Sequence, residues 1–298
     1  MSALAAWLND DVAATRGQAV AQNAWRAWRR FASNPLGLIG LAVVLLLVGT
    51  ALFAPWIATH PPNDQNLAAR LMAPSAAHWL GTDELGRDIW SRLVWGSRIT
   101  LSIIAIVSIV VAPIGLAVGC VAGYAGGWAD AVLMRVTDLF LAFPSLILAL
   151  AFVAALGPSL ENAILAIALT QWPPIARLAR AETLSLRNSD YIAAVRLLGA
   201  SPARIVLRHV TPLCLPSVVV RVTLNMASII LTAAGLGFLG LGAQPPTPEW
   251  GAMVSTGRRF MLDSWWVVTF PGVAILVVSL AFNLVGDALR DALDPRQG

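Results

Sequence analysis

The chain has 298 residues, 58% of them hydrophobic and 12% charged, with a formal net charge of +4. Soluble domains carry about twice that charged fraction, so the composition argues against one and for a helical membrane protein. All 20 basic residues are arginine, which excludes a lysine-dependent phosphate loop and hence a P-loop ATPase; the arginines lie between apolar segments rather than in a basic domain, which excludes a nucleic-acid binder.

Residues 1–34 read as a polar tail and not as a cleaved signal peptide, because the apolar run that follows is too long for a signal core. Within the tail, Trp25, Trp28 and Phe31 alternate with Arg26, Arg29 and Arg30. This pattern suits either a short helix lying in the lipid headgroup layer or a flexible basic tail. Charge-free runs follow at 35–58, 99–127, 139–160, 162–176, 222–243 and 264–286. A bilayer crossing takes about 20 apolar residues. Five runs qualify, and the fourth, interrupted by Pro173-Pro174, needs its amphipathic continuation to Arg180.

The expected fold is therefore all-α with six transmembrane helices. The tail 1–34 and the first span 35–58 precede an outer loop, 59–98. A five-span core covers 99–290, with a long inner segment at 181–212 and an outer loop at 243–264, and a tail covers 291–298. With both termini inside, only Arg70, Arg87, Arg92, Arg98, Arg258 and Arg259 fall outside, in keeping with the positive-inside rule.

No catalytic motif is present, and no catalytic residue or metal site is expected. His60 and His78 lie in the first outer loop and His209 on the inner side. Cys120 and Cys214 are distant in sequence and read as buried packing residues. Asp83, Glu84, Arg87 and Asp88 in the first outer loop, and Trp250 in the second, form either an outward-facing contact surface or an internally paired structural cluster. Asn225 and Asn283 within spans either line a path or bridge helices. Carboxylates and arginines at span ends, Asp138 and Arg221 among them, read as snorkelling or capping groups.

The inner segment 181–212 carries the sharpest local pattern. Asp190 is placed to cap a helix over 191–198, Gly199 to end it in a left-handed conformation, and Ser201 to cap a second helix with Pro202 in its first turn. By spacing alone this is either an ordinary loop or a docking element.

The same residues resemble the EAA loop of ABC importer permeases, whose pattern is E-A-A, three residues, G, nine residues, I-x-L-P. Ala193-Ala194-Val195 stands in the E-A-A place, Gly199 at the glycine and His209-Val210-Thr211-Pro212 in the I-x-L-P place, so Ala193 replaces the usual glutamate. Residues 78–101 (HWLGTDELGRDIWSRLVWGSRITL), 236–254 (LGFLGLGAQPPTPEWGAMV) and 282–295 (FNLVGDALRDALDP) are similar to the C-type permease of dipeptide and oligopeptide importers. Subunits handling D,D-dipeptides or glutathione look closest. The resemblance implies the type I importer (MetI-like) permease fold in a bacterial inner membrane. It further implies a homologous B-type permease, two cytoplasmic ATPase subunits that hold ATP and magnesium, and a periplasmic binding protein, with no cofactor on this chain. Cargo classes carried by such systems include dipeptides, longer peptides, glutathione and nickel chelates. The resemblance assigns ATPase coupling to Asp190, Tyr191, Ala193, Ala194, Arg196, Leu197, Gly199, Ala200, Arg204 and Pro212. Tyr191 and Leu197 would enter the ATPase groove, with Arg196 and Arg204 at its rim. An ion-coupled secondary transporter would call for buried mid-span carboxylates and inverted repeats, and neither is seen.

Overall fold

The computed structural model describes residues 15–293, so the tail assignments at 1–14 and 294–298 lie outside the described residues. Within them the regular structure is helical, apart from one isolated bridge between Thr82 and Asp88.

Helix α1, Arg16–Ala32, is capped by Thr15, whose Oγ1 accepts from the Gln18 amide at 3.2 Å. Its aromatic side is not left wholly to lipid. Phe31 is buried against Ala288 and Ala292 of the C-terminal helix, while Trp28 stacks on it from outside at 5.8 Å. Asn34 then caps α2, Pro35–Leu52, with Pro35 in the first turn where its missing N–H costs nothing.

Helix α3, Ile89–Ala125, begins ten positions before the charge-free run that announced it. Asp88 caps it, and Arg92 is buried within its first turns with polar partners, so charge does not interrupt it. Its inner half carries Gly115, Gly119 and Gly123 at four-residue spacing. A Cβ on these would collide with Ile175, with the Ala176 carbonyl and Ala179, and with Thr183. This is a small-residue seam that lets two backbones approach closely and pack without voids. The partner is α7, Pro173–Arg187, against which α3 packs more extensively than against any other helix.

The third run departs from expectation, whereas the fourth is broken at Pro173-Pro174 and continued by an amphipathic helix, as its sequence implied. Residues 139–160 do not form one helix. Helix α4, Gly127–Leu141, and α5, Ser145–Leu156, meet at an 88° bend beside Pro144. Proline disfavours helical geometry in the residue before it, and Phe143 lies there. Helix α6, Leu160–Gln171, is capped by Ser159 and stops before the Pro173-Pro174 pair that opens α7. Arg180 grips Asp130 in a bidentate pair at 2.5 and 2.6 Å, and Arg177 pairs with Asp138 at 2.7 Å, strapping α4 to α7. Four described helices are long and apolar enough to cross a bilayer, or five if α4 and α5 count as one broken span.

A short helix α8, Asp190–Leu197, follows α7. The next, α9, Pro202–Ile205, is not a separate second helix as the sequence pattern had it. A π turn, Val206–Val210, joins it to α10, Thr211–Phe238, and Pro202–Phe238 forms one 37-residue span. Pro212 lacks the N–H that an α-helical bond to Arg208 would need, and the wider turn just before it absorbs the mismatch. Helix α11, Trp250–Gly257, lies in the second outer loop, and α12, Trp266–Leu293, returns through the core. The core is continuous and includes Val107, Val111, Ile167, Ile175 and Ile229, with Cys120 and Cys214 buried in it as expected.

Candidate functional site

The inner segment is built as a stiff angle with an apolar cap. Ser189, not Asp190, is the N-cap of α8: its hydroxyl accepts from the Ile192 amide, and Asp190 occupies the first turn, where a carboxylate favours the helix dipole. The helix ends in a paired closure. The Gly199 amide donates to the Arg196 carbonyl at 3.0 Å and the Ala200 amide to the Val195 carbonyl at 3.4 Å, with Gly199 at φ +78°. Nothing lies within 4 Å of a Cβ built on Gly199. Backbone conformation, not space, therefore demands glycine there. Ser201 caps α9 as expected.

Ile192, Ile205 and Val210 anchor this angle in the main core. On the opposite side Leu197 and Leu198 are 89% and 87% exposed, and Leu207, Tyr191, Arg196 and Arg204 are exposed beside them. The Tyr191 hydroxyl and His209 Nδ1 lie 2.6 Å apart, tying α8 to the π turn. Arg196 rests over the Tyr124 ring at 6.0 Å. Ala193 and Ala194 are exposed on α8, Ala200 is half-buried, and Pro212 lies at the start of α10. Isolated exposed leucines are ordinary, but this many on one short angle form a patch that calls for a partner.

The outer cap has the reverse construction. Asp83 is 4% exposed and accepts from Arg87 Nε at 2.6 Å, with Arg92 Nε at 3.6 Å from the same carboxylate. Glu84 takes the other end of Arg87 at 2.9 Å. Asp88 binds the Ser91 amide and hydroxyl with one carboxylate oxygen and approaches His78 with the other. These charges are spent inside the cap, which favours the internally paired reading over the contact-surface one. Trp250 is likewise buried: its indole donates to the Leu93 carbonyl at 3.1 Å and lies over Gly96. Arg92 donates to the carbonyls of Pro62 and Pro246, at 3.0 and 3.4 Å, and so binds the two outer loops together. Glu249 caps α11 through the Gly251 and Ala252 amides, and burial pushes its carboxyl up to about 7 despite those two bonds.

Asn225 and Asn283 are not brought together. Asn225 is buried, its Nδ2 lacks a partner, and it lines a cavity of about 310 Å³ with Gln171, Ser228 and Arg221. Arg221 also lines a wider groove of about 830 Å³ with Glu182, Ser217 and Arg290. Asn283 sits on an exposed face of α12. Sequence reading passed over Arg92, Glu249 and the glycine seam. The seam's G-x-x-x-G-x-x-x-G spacing was the available signal.

Residues 115–298 match the family model described as binding-protein-dependent transport system inner membrane component, and residues 23–74 match the N-terminal TM domain of oligopeptide transport permease C. The probable D,D-dipeptide transport system permease protein DdpC of Escherichia coli is 47% identical over 89% of each chain. The di/tripeptide transport system permease protein DppC of Pseudomonas aeruginosa is 48% identical over 90% of this chain and 91% of its own. The glutathione transport system permease protein GsiD of Pectobacterium atrosepticum is 44% identical over 91% of each. A chain of the MetNI methionine ABC transporter, solved in inward facing conformations, superposes with a TM-score of 0.55 at 22% identity, over 68% of this chain and 97% of that one, a likeness of fold. The chain therefore belongs to the family of binding-protein-dependent transport system inner membrane components, as a multi-pass inner-membrane permease of the ABC dipeptide and oligopeptide type.

Proposed function

We propose that this subunit forms half of the translocation pathway of an ATP-driven peptide importer and receives the ATPase stroke through α8 and α9. The observation that carries this reading is the exposed apolar angle at Gly199 joined without a break to α10. A push on Leu197 and Leu198 turns α9, and because α9, the π turn and α10 are one rod, the push moves a span rather than a loop. Tyr191 and Leu197 enter the groove of a cytoplasmic ATPase subunit, with Arg196 and Arg204 at the rim. ATP and magnesium sit on two such subunits, and a homologous B-type permease completes the pathway. A periplasmic binding protein delivers cargo to the outer cap. Six crossings are reached if α4–α5 makes one and α6 with the start of α7 another; that puts both termini on one side, and the arginine distribution favours the cytoplasm for it. The polar seam from Gln171 and Asn225 past Arg221 to Glu182 is the cargo-facing side, suited to the amides and terminal charges of a short peptide. Relatives named for D,D-dipeptides, di- and tripeptides and glutathione support cargo of that size.

The test is Gly199→Val in the reconstituted importer. A β-branched residue resists positive φ, so uptake and ATP hydrolysis stimulated by the binding protein both collapse while the subunit still inserts and assembles. Gly199→Asn, which tolerates the left-handed region, retains most of both. Unimpaired coupling in the valine variant would falsify the assignment.

A further inference from the structure

We infer that His60, His78 and Asp88 form a binding site for a divalent transition-metal ion of the zinc class on the outer cap. Folding brings together three residues from the beginning, middle and end of the first outer loop. His78 Nδ1 lies 3.0 Å and His60 Nδ1 3.9 Å from Asp88 Oδ1, and the two imidazoles face each other with centroids 4.8 Å apart. All three candidate ligand atoms fall within 4.8 Å of one another. Zinc bonds to histidine nitrogen and carboxylate oxygen run to about 2.0–2.2 Å, which in a tetrahedral site puts ligand atoms roughly 3.3 Å apart. The His78–Asp88 pair is already near that spacing. His60 Nδ1 lies 3.0 Å from Thr59 Oγ1, and its side chain, 39% exposed, would exchange that contact for the ion as it closes the remaining distance.

Two features separate this cluster from a simple hydrogen bond. First, the carboxylate is oriented as a ligand would be. Its Oδ2 accepts from the Ser91 amide and hydroxyl at 2.8 and 2.7 Å and from Thr59 Oγ1 at 3.3 Å, leaving Oδ1 for the imidazoles. Such fixing of a ligand by its neighbours is the usual support of a metal centre. Secondly, the charge is uncompensated by any arginine. Asp88 is 2% exposed, and its only ion-pair partners among the described residues are the two imidazoles, whereas neighbouring Asp83 has both Arg87 and Arg92. A buried carboxylate calls for a cation, and imidazole nitrogens are among the commonest ligands that hold one. Bound there, the ion pins the start of the loop at His60 to the first turn of α3, with the fourth position left to water.

The full-length chain, purified with its co-purifying subunits in nanodiscs and stripped with EDTA, is titrated with zinc ions against a chromophoric chelator. Wild type should bind one zinc per chain at this site, with affinity at least about tenfold weaker in His60→Ala and in His78→Ala, since even ligand-orienting neighbours are worth that factor. His209→Ala should match wild type. His78→Ala disturbs a contact to a buried carboxylate and so also tests packing; partly exposed His60 therefore decides. Equal zinc affinity in wild type and His60→Ala overturns the site, as does wild type binding no zinc.

Discussion

The inner angle and the outer cap draw on the same few polar residue types and use them in opposite ways. At the cap, Asp83, Arg87, Asp88 and Arg92 are buried, paired and hydrogen-bonded to two loops, and the exposed surface is what remains around them. At the inner angle Arg204 is exposed among bare leucines and Arg196 lies over the Tyr124 ring, while Ile192, Ile205 and Val210 anchor the element in the core. A buried charge network resists motion because removing one member strands another, whereas an exposed apolar patch contributes little until a partner covers it. The contrast suits a rigid outer rim and an inner joint that completes itself against another chain. Helix α3 links the two, starting under the cap at Ile89 and locking onto α7 along its glycine seam before reaching the inner side.

Substitutions at the two ends should separate accordingly. The largest effect is expected at the cap. Asp83→Ala leaves Arg87 and Arg92 buried with too little negative charge, at a cost of about 3–5 kcal/mol, read as a steep fall in melting temperature of the purified subunit. Next comes the link. Gly119→Val drives a side chain into the Ala176 carbonyl and Ala179, costing roughly 1–3 kcal/mol, and should loosen α3 from α7, measurable as faster hydrogen exchange in both helices. At the joint, Leu197→Ser should change the melting temperature of the isolated subunit hardly at all, within about 0.5 kcal/mol, yet weaken co-purification of the ATPase subunits. Were Leu197→Ser to destabilise the free subunit as much as Asp83→Ala, the contrast between the two ends would disappear.

A further effect at the cap is a pH slope. Burial raises the Glu249 carboxyl from 4.5 to about 7, so the folded state holds a proton that the unfolded state has released. The penalty is absent below the ordinary value, grows as pH rises through this window, and is complete above about 7. Glu249→Gln removes that titration. The stability of wild type relative to the variant should therefore decline between those pH values, and parallel curves would exclude Glu249 as the source.

Local signals in the sequence were sufficient where the physics is local. Ser201 and Gly199 act where their residue types act in any helix terminus, and the apolar runs at 35–58, 222–243 and 264–286 contain helices because lipid leaves a backbone few other ways to satisfy its hydrogen bonds. The cap at Asp190 fell one residue short, since Ser189 competes for the same position and the pattern alone does not choose between them. The run at 139–160 misled because apolarity reports burial or lipid, whereas a proline with the geometry around it decides direction.

The amino-acid sequence by itself determined the membrane class, the absence of a phosphate-binding lysine, the family motifs and the glycine that bends the inner segment. Each follows from composition or from residues within a few positions of one another. Only the tertiary structure decided that the charges of the first outer loop face inward, that Arg92 joins two loops, that α9 and α10 are one rod, and that His60 meets His78 over Asp88. Those outcomes depend on which distant segments share a buried volume, where every unpaired charge and every void carries a cost that no short stretch of sequence can register.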